Sequence, residues 1–298
     1  MTPEQVIEKV LKSNSVIDCF YDVTDYKNVY RNFIRLIHPD VCKLPKASEA
    51  TEKLNKFKEQ LDSGVKHRDD AGVIKYALKT IEIVGKRELL NKSLANYKIL
   101  MSLMDESSMH FKKYLPVSGK LISENEDEAV VEFTLSNRAV PLSSLGVVEQ
   151  KHANWILSRM FEFTSWINQI GYSHAGINPE SIYIMPENHG MCCVSFYHMT
   201  KLDTPLKTIS SQYKSFYPPQ VFSNKKAESN IDIELSKRTG LYILGDKSGS
   251  GVMLRKTHEN HIIDFLQKQN DDAAKNYTDY RELLSKYFDM KQFHVLSV

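Results

Sequence analysis

Apolar residues recur with helical period in three short stretches at the start of the chain. Over residues 4–12, Val6, Val10 and Leu11 form one side, and Thr2-Pro3-Glu4 is a strong helix start. A second helix is predicted to begin near Thr24 or Asp25, either of which can cap it. Its apolar side is Tyr26, Val29, Tyr30, Phe33, Leu36 and Ile37, and it ends at His38-Pro39-Asp40, because a proline ring disfavours the α conformation of the residue before it. Lys27, Arg31 and Arg35 lie four residues apart on the other side, which places three positive charges in one exposed stripe. A third helix is predicted over 47–62, with Ala50, Leu54, Phe57 and Leu61 on its buried face and Ser63-Gly64 as its stop.

The pattern then changes. Residues 63–72 are polar, contain two glycines and read as a linker. Residues 73–84 are rich in β-branched and aromatic side chains and predict one or two strands; 86–104 predicts a helix. Residues 117–123 and 129–135 predict a strand pair joined by the acidic turn 124–128. A long apolar helix with both tryptophans, Trp155 and Trp166, is expected over 152–170, followed by short strands at 182–185 and 191–196. Helices over about 228–245, 259–269 and 277–288 complete the chain. A small helical unit (1–62), then a β-rich part and a large helical part (73–298), is an α+β arrangement.

Composition narrows the picture without redirecting it. The 298 residues suffice for two domains, and a hydrophobic fraction of 42% with 26% charged residues is ordinary for a globular protein. The formal net charge of +2 argues against a general polyanion binder, so any basic function is local. The four cysteines, Cys19, Cys42, Cys192 and Cys193, lack a disulfide framework, which fits a reducing cytoplasm. No secretory signal and no apolar run of membrane-spanning length is evident, so the expectation is a cytoplasmic protein with no membrane partner.

The run from Tyr30 to Asp40, two helices of opposite direction around His38-Pro39-Asp40 and Phe57 in the following helix, resembles the J domain of the DnaJ family over residues 1–62. That resemblance implies a partner, a DnaK-type chaperone whose ATP hydrolysis the His38-Pro39-Asp40 loop promotes. Pro39 would fix the loop, His38 and Asp40 would supply polar contacts, and Lys27, Arg31 and Arg35 would dock on an acidic surface through salt-sensitive contacts. The chain departs from full DnaJ proteins in lacking a clear fourth helix, a Gly/Phe-rich linker and zinc-binding cysteine repeats. Specificity would then come from the attached domain.

The stretch His174-Ala-Gly-Ile-Asn-Pro-Glu-Ser-Ile182 resembles the catalytic loop of protein kinases. His174, Pro179 and Glu180 are kept. Gly176 stands where the catalytic Asp belongs, Asn178 where the Lys belongs and Ser181 where the metal-binding Asn belongs. Ser195-Phe-Tyr197 replaces Asp-Phe-Gly, Tyr217-Pro-Pro-Gln220 sits where Ala-Pro-Glu is expected, and Asp232 matches the structural Asp of the next helix. The end of the 86–104 helix, Asn96 to Leu100, matches the helix that normally supplies a Glu, and Lys75 or Lys79 is the candidate strand lysine. Phosphoryl transfer needs a positioner for the hydroxyl and carboxylate ligands for Mg²⁺. Neither has an acidic residue here, and no Gly-x-Gly-x-x-Gly loop precedes the strands. The resemblance implies a bilobal kinase-like domain without kinase chemistry, a pseudokinase with no cofactor.

Three other features were weighed against plainer readings. His189, Cys192, Cys193 and His198 fall within ten residues but match no standard zinc spacing, and a buried strand explains the cysteines better. The run 245–251 (Gly-Asp-Lys-Ser-Gly-Ser-Gly) lacks the ending of a phosphate loop and follows a helix, so it is expected to be a flexible loop. The basic segment 224–226 is too short for nucleic-acid binding. The leading expectation is therefore a co-chaperone whose second domain binds an unknown client or targets the protein. The alternatives are an atypical active kinase or nucleotide-binding enzyme, and a scaffold that captures a host chaperone without stimulating it, as a viral protein would.

Overall fold

The computed structural model describes residues 1–13, 19–20, 26–63, 65–288 and 296. The chain opens with helix α1 (Pro3–Lys12). Thr2 and Gln5 cap it reciprocally: Gln5 N donates to Thr2 Oγ1 (3.4 Å) and Thr2 N to Gln5 Oε1 (2.9 Å). Helix α2 (Tyr26–Ile37) and helix α3 (Ala47–Ser63) follow; the caps expected at Thr24 and Asp25 lie outside the described residues. Val6, Val10, Phe33, Ile37, Ala50, Leu54, Phe57 and Leu61 form one hydrophobic cluster with Cys19 and Phe20, so the three amphipathic stripes meet as the periodicity requires.

The expected linker is not a linker. Helix α3 ends at Ser63, and strand β1 (Val65–Arg68) begins two residues later. It pairs antiparallel with β2 (Gly72–Ala77), which pairs with β3 (Thr80–Lys86). Helix α4 (Arg87–Ser102) then crosses to β4 (Ser118–Glu124) and β5 (Glu128–Thr134). The five strands form one antiparallel sheet in the order β1-β2-β3-β5-β4. Polar composition misled the sequence reading because β1 is an edge strand, and an edge tolerates charge where a central strand does not. Gly72 and Gly85 face each other across β2 and β3; a Cβ on Gly72 would lie 2.1 Å from Val84 O of β3, and one on Gly85 would lie 2.1 Å from Ala71 O of the β1–β2 turn. Only glycine permits that approach, which sets the level of the β1–β2 turn.

Beyond the sheet the chain is mainly helical. The two-residue strand β6 (Val140–Pro141) leads to the long helix α5 (Gln150–Gln169) and strand β7 (Tyr172–Ser173). Strands β8 (Ile182–Met185) and β9 (Gly190–Cys193) form a buried antiparallel pair, and β10 (Thr200–Lys201) pairs with β7. Helices α6 (Gln220–Asn224), α7 (Ser229–Ile243), α8 (Asn260–Gln267) and α9 (Ala273–Tyr287) close the fold. A second, larger cluster runs from Ile74, Ile81, Ile83 and Phe133 of the sheet to Phe161, Trp166, Leu241 and Tyr280 of the helices. The N-terminal helical cluster is distinct from it, and Ala77 and Leu78 at the β2–β3 turn pack against the former.

Candidate functional site

Two places carry the residues singled out in the sequence. The first is the turn after α2. His38 N still donates to Ile34 O (2.9 Å), and Val41 N and Cys42 N both donate to His38 O (2.9 and 2.8 Å), so the helix closes into a tight turn around Pro39. Asp40 N donates to His38 Nδ1 (3.3 Å), and the two side chains stay exposed enough to meet a partner, at 45% and 87%. Thr51 Oγ1 on α3 donates to Ile37 O (3.0 Å) and pins the end of α2. Lys27, Arg31 and Arg35 are exposed on α2, as the spacing requires. Lys27 also lines a cavity of about 270 Å³ shared with Tyr26, Leu61, Lys75, Leu78 and Lys79. Lys75 and Lys79, the candidate strand lysines, therefore face the N-terminal helices. Lys75 lies on the side of β2 opposite the buried Ile74 and Tyr76 and pairs in register with Glu82.

The second place is the buried loop 174–181. Asp232 on α7 organises its start: His174 N and Ala175 N each donate to its carboxylate at 2.8 Å. Ala175 takes a left-handed backbone (φ 52°), and Tyr217 OH donates to its carbonyl at 2.6 Å. Burial pushes Asp232 up to about 6 despite these hydrogen bonds. Burial pushes His174 down to about 3, with His198 adding to the effect, so its imidazole is neutral at physiological pH. Cys193 Sγ lies 3.1 Å from His174 Nε2, but burial raises the thiol, so the pair is a neutral contact rather than an activated nucleophile. Among the described residues no group of His, Cys, Asp and Glu is arranged to hold a metal ion.

The positions compared with a catalytic loop are engaged within the protein. Asn178 Nδ2 donates to Gly176 O (3.0 Å), and Asn178 Oδ1 accepts from Glu180 N (2.8 Å) and Ser181 N (3.1 Å). Ser181 Oγ accepts from Asn178 N and donates to Asn178 O. Glu180 accepts from Ser143 Oγ (2.7 Å) and lies 3.3 Å from His67 Nε2 of β1. Burial raises Glu180 and pushes His67 down to about 4, so the contact at neutral pH involves an uncharged imidazole. At Gly176 a Cβ would lie 2.8 Å from His198 Cδ2: the His198 ring covers the place a longer side chain needs. Ser195 has a left-handed backbone (φ 65°) and donates through Oγ to Asp69 Oδ2 (2.9 Å).

Several of these partners were not anticipated. Asp69 and Asp70 form the β1–β2 turn inside the expected linker. Ser93 and Asn96 of α4 hold the 3-10 turn Phe196–His198: Phe196 N donates to Ser93 Oγ (3.0 Å), and Asn96 Nδ2 donates to Phe196 O (2.8 Å) and Met199 O (3.2 Å). The only local signal was an Asp-Asp pair before Ala-Gly, which reads as a turn and nothing more. The run 245–251 is built around Asp246, whose carboxylate accepts from Ser248 N, Ser250 Oγ and Gly251 N (3.0, 2.9 and 2.6 Å). A carboxylate already fills that nest of donors, so it is not a phosphate loop. Trp166 is buried, while Trp155 stacks on His189 at 4.2 Å between ring centroids.

No family model and no curated protein matches the chain. Among solved structures it is similar to one described as "Structure of vaccinia related kinase 3", at 10% identity, over 75% of this chain and 86% of that one, with a TM-score of 0.49. At that level the likeness says nothing of activity. Among the described residues no helix is long and apolar enough to cross a membrane.

Proposed function

We propose that the chain is a J-domain co-chaperone that stimulates the ATPase of a DnaK-type chaperone, with a kinase-like domain that lacks kinase chemistry and serves client binding or targeting. The observation that carries the reading is the His38-Pro39-Asp40 turn, tight, exposed and placed between two antiparallel-stacked helical faces, beside the basic stripe of Lys27, Arg31 and Arg35. Charges on an exposed helix face contribute mostly to the rate and orientation of encounter, so the engagement is expected to weaken with salt.

The kinase-like part of the reading is supported by three features of the chain itself. Its sheet order is β1-β2-β3-β5-β4 with α4 between β3 and β4. The loop 174–181 leads into the β8–β9 pair, and Asp232 binds the backbone of that loop. The absence of chemistry is supported by Gly176 and Ser195, neither of which offers a carboxylate for a hydroxyl proton or for Mg²⁺.

The test is steady-state ATP hydrolysis by a DnaK-type chaperone with and without the full chain. Stimulation is expected from the wild type and not from His38→Gln, with the loss of stimulation at high salt reproduced by Arg31→Ala. Equal stimulation by His38→Gln, or none by the wild type, overturns the reading. Binding to the chaperone without rate enhancement would instead identify a capturing scaffold. Thermal unfolding with ATP and Mg²⁺ tests the other half: no metal-dependent shift is expected, and a shift would return the chain to the nucleotide-binding enzymes.

A further inference from the structure

The β1–β2 turn meets the segment that follows β9. Its two carboxylates do not face solvent as an acidic turn normally does. Asp69 Oδ1 accepts from Ala71 N (2.9 Å) and Gly72 N (3.0 Å), which folds the turn back on itself. Its other oxygen accepts from Ser195 Oγ, 126 residues away in sequence, and Tyr197 also donates to this carboxylate. Asp70 Oδ1 accepts from Ser211 N (2.9 Å) and from the Ser211 hydroxyl, while its Oδ2 lies 3.6 Å from His198 Nε2. The Asp70 side chain is only 12% exposed, so these are hydrogen bonds to a largely desolvated anion, which are among the stronger ones a protein makes.

The segment held in this way has little regular structure of its own. Between Ser195 and Ser211 only the 3-10 turn and the two residues of β10 are regular. His198 Nδ1 is 2.9 Å from Thr208 Oγ1, so the imidazole in contact with Asp70 is also tied to the far part of the segment. Near that end, Ser210 N donates to Tyr217 OH (2.8 Å). Asp69 thus grips the start of the segment, and Asp70 meets it near the start at His198 and at its end at Ser211. Gly72 makes this possible, because any side chain there would collide with β3 and lift the turn.

We propose that the acidic β1–β2 turn is an internal latch, in which Asp69 and Asp70 clip the segment 195–211 against the sheet. The latch depends on contacts within the chain and holds whether or not the chain engages a chaperone. Phe196, Tyr197 and Met199 anchor the start of the segment in the core, whereas the irregular stretch after β10 exchanges its amides through local opening, which is what a latch suppresses.

Hydrogen exchange of the full chain tests this, comparing the wild type with Asp69→Asn/Asp70→Ala. Asparagine keeps an acceptor for the Ala71 and Gly72 amides, so the turn itself is retained while the charge is removed. Exchange across 195–211, the Ser211 amide above all, is expected to accelerate at least about tenfold, with α1, α3 and α9 unchanged. Unchanged exchange across 195–211 overturns the latch. Uniform acceleration throughout the chain also overturns it, since the two residues would then support global stability and not a local closure. Asp70→Ala alone should accelerate the Ser211 amide more than the Ser195 amide, and the reverse order would count against the assignment.

Discussion

On the proposed reading a carboxylate at position 176 would supply the acid of the catalytic pattern, and the structure predicts that it fails to fit. An ideal Cβ on Gly176 lies 2.8 Å from His198 Cδ2 and 3.2 Å from its Cβ. His198 cannot swing aside freely: it is 2% exposed, tied to Thr208 through Nδ1 at 2.9 Å and close to Asp70 through Nε2. Forcing atoms into such a space costs about 1–3 kcal/mol. A carboxylate buried against the His198 ring adds burial of an unpaired charge, so the total for Gly176→Asp is about 3 kcal/mol or more, against a typical stability of about 5–15 kcal/mol. Gly176→Ala carries the steric part alone, about 1–3 kcal/mol. Urea unfolding followed by fluorescence reads both. With an m-value of about 2–3 kcal/mol per molar, Gly176→Asp should unfold at a urea concentration lower by about 1 M, with Gly176→Ala between it and the wild type. Wild-type stability in Gly176→Asp, or ATP-dependent phosphorylation of any acceptor by it, would refute the reasoning.

Two further expectations concern buried charge. Lys237 on α7 is 1% exposed, donates to Lys268 O at 2.5 Å and lies 5.0 Å from the Phe265 ring centroid; burial pushes it down to about 8. A shift from 10.5 to about 8 corresponds to about 3 kcal/mol disfavouring the charged form at neutral pH, part of which Lys237→Met should recover, raising stability by about 1–2 kcal/mol at pH 7. Between pH 8 and 10.5 the unfolded chain holds a proton that the folded chain has released, so wild-type stability rises with pH across this window and the advantage of Lys237→Met shrinks; denaturant midpoints at pH 7 and 10 check the sign. Asp232→Ala leaves the buried His174 and Ala175 amides without acceptors, at about 1–3 kcal/mol each, so a total loss under about 1 kcal/mol in chemical denaturation would show that the carboxylate does not organise the loop.

The helices of the N-terminal unit were legible because each carries its own evidence. The period of Ala50, Leu54, Phe57 and Leu61 predicts a face, and all four are buried. The β4–β5 and β8–β9 pairs were legible for the same reason, as short β-branched or apolar runs bounded by turns. Strand β1 was not, because Val65-Lys66-His67-Arg68 becomes a strand only through its pairing with β2, and its role comes from His67 reaching Glu180 across more than a hundred residues. Ser93 and Asn96 looked like ordinary positions on a helix; what matters is that they meet a turn 100 residues later. Periodicity reports which face of an element is buried, and says nothing of which polar group it will meet there.

The same distinction applies to the loop 174–181, which the proposed reading compares with a catalytic loop. A site built for transfer chemistry keeps some polar groups directed at an incoming ligand, so that they exchange water for substrate. In the loop 174–181 the polar side chains instead bind their own backbone or neighbouring elements: Asn178 with Gly176, Ser181 with Asn178, Glu180 with Ser143. At Ser195 the hydroxyl meets a carboxylate from the turn rather than an open cleft. Asn178, Ser181 and Ser195, which differ from the catalytic pattern of the proposed reading, thus hold this arrangement together with Glu180, which matches it. On the proposed reading the chemistry takes place in the partner, and the exposed His38-Pro39-Asp40 turn, whose side chains remain at the surface, is where this chain acts on it.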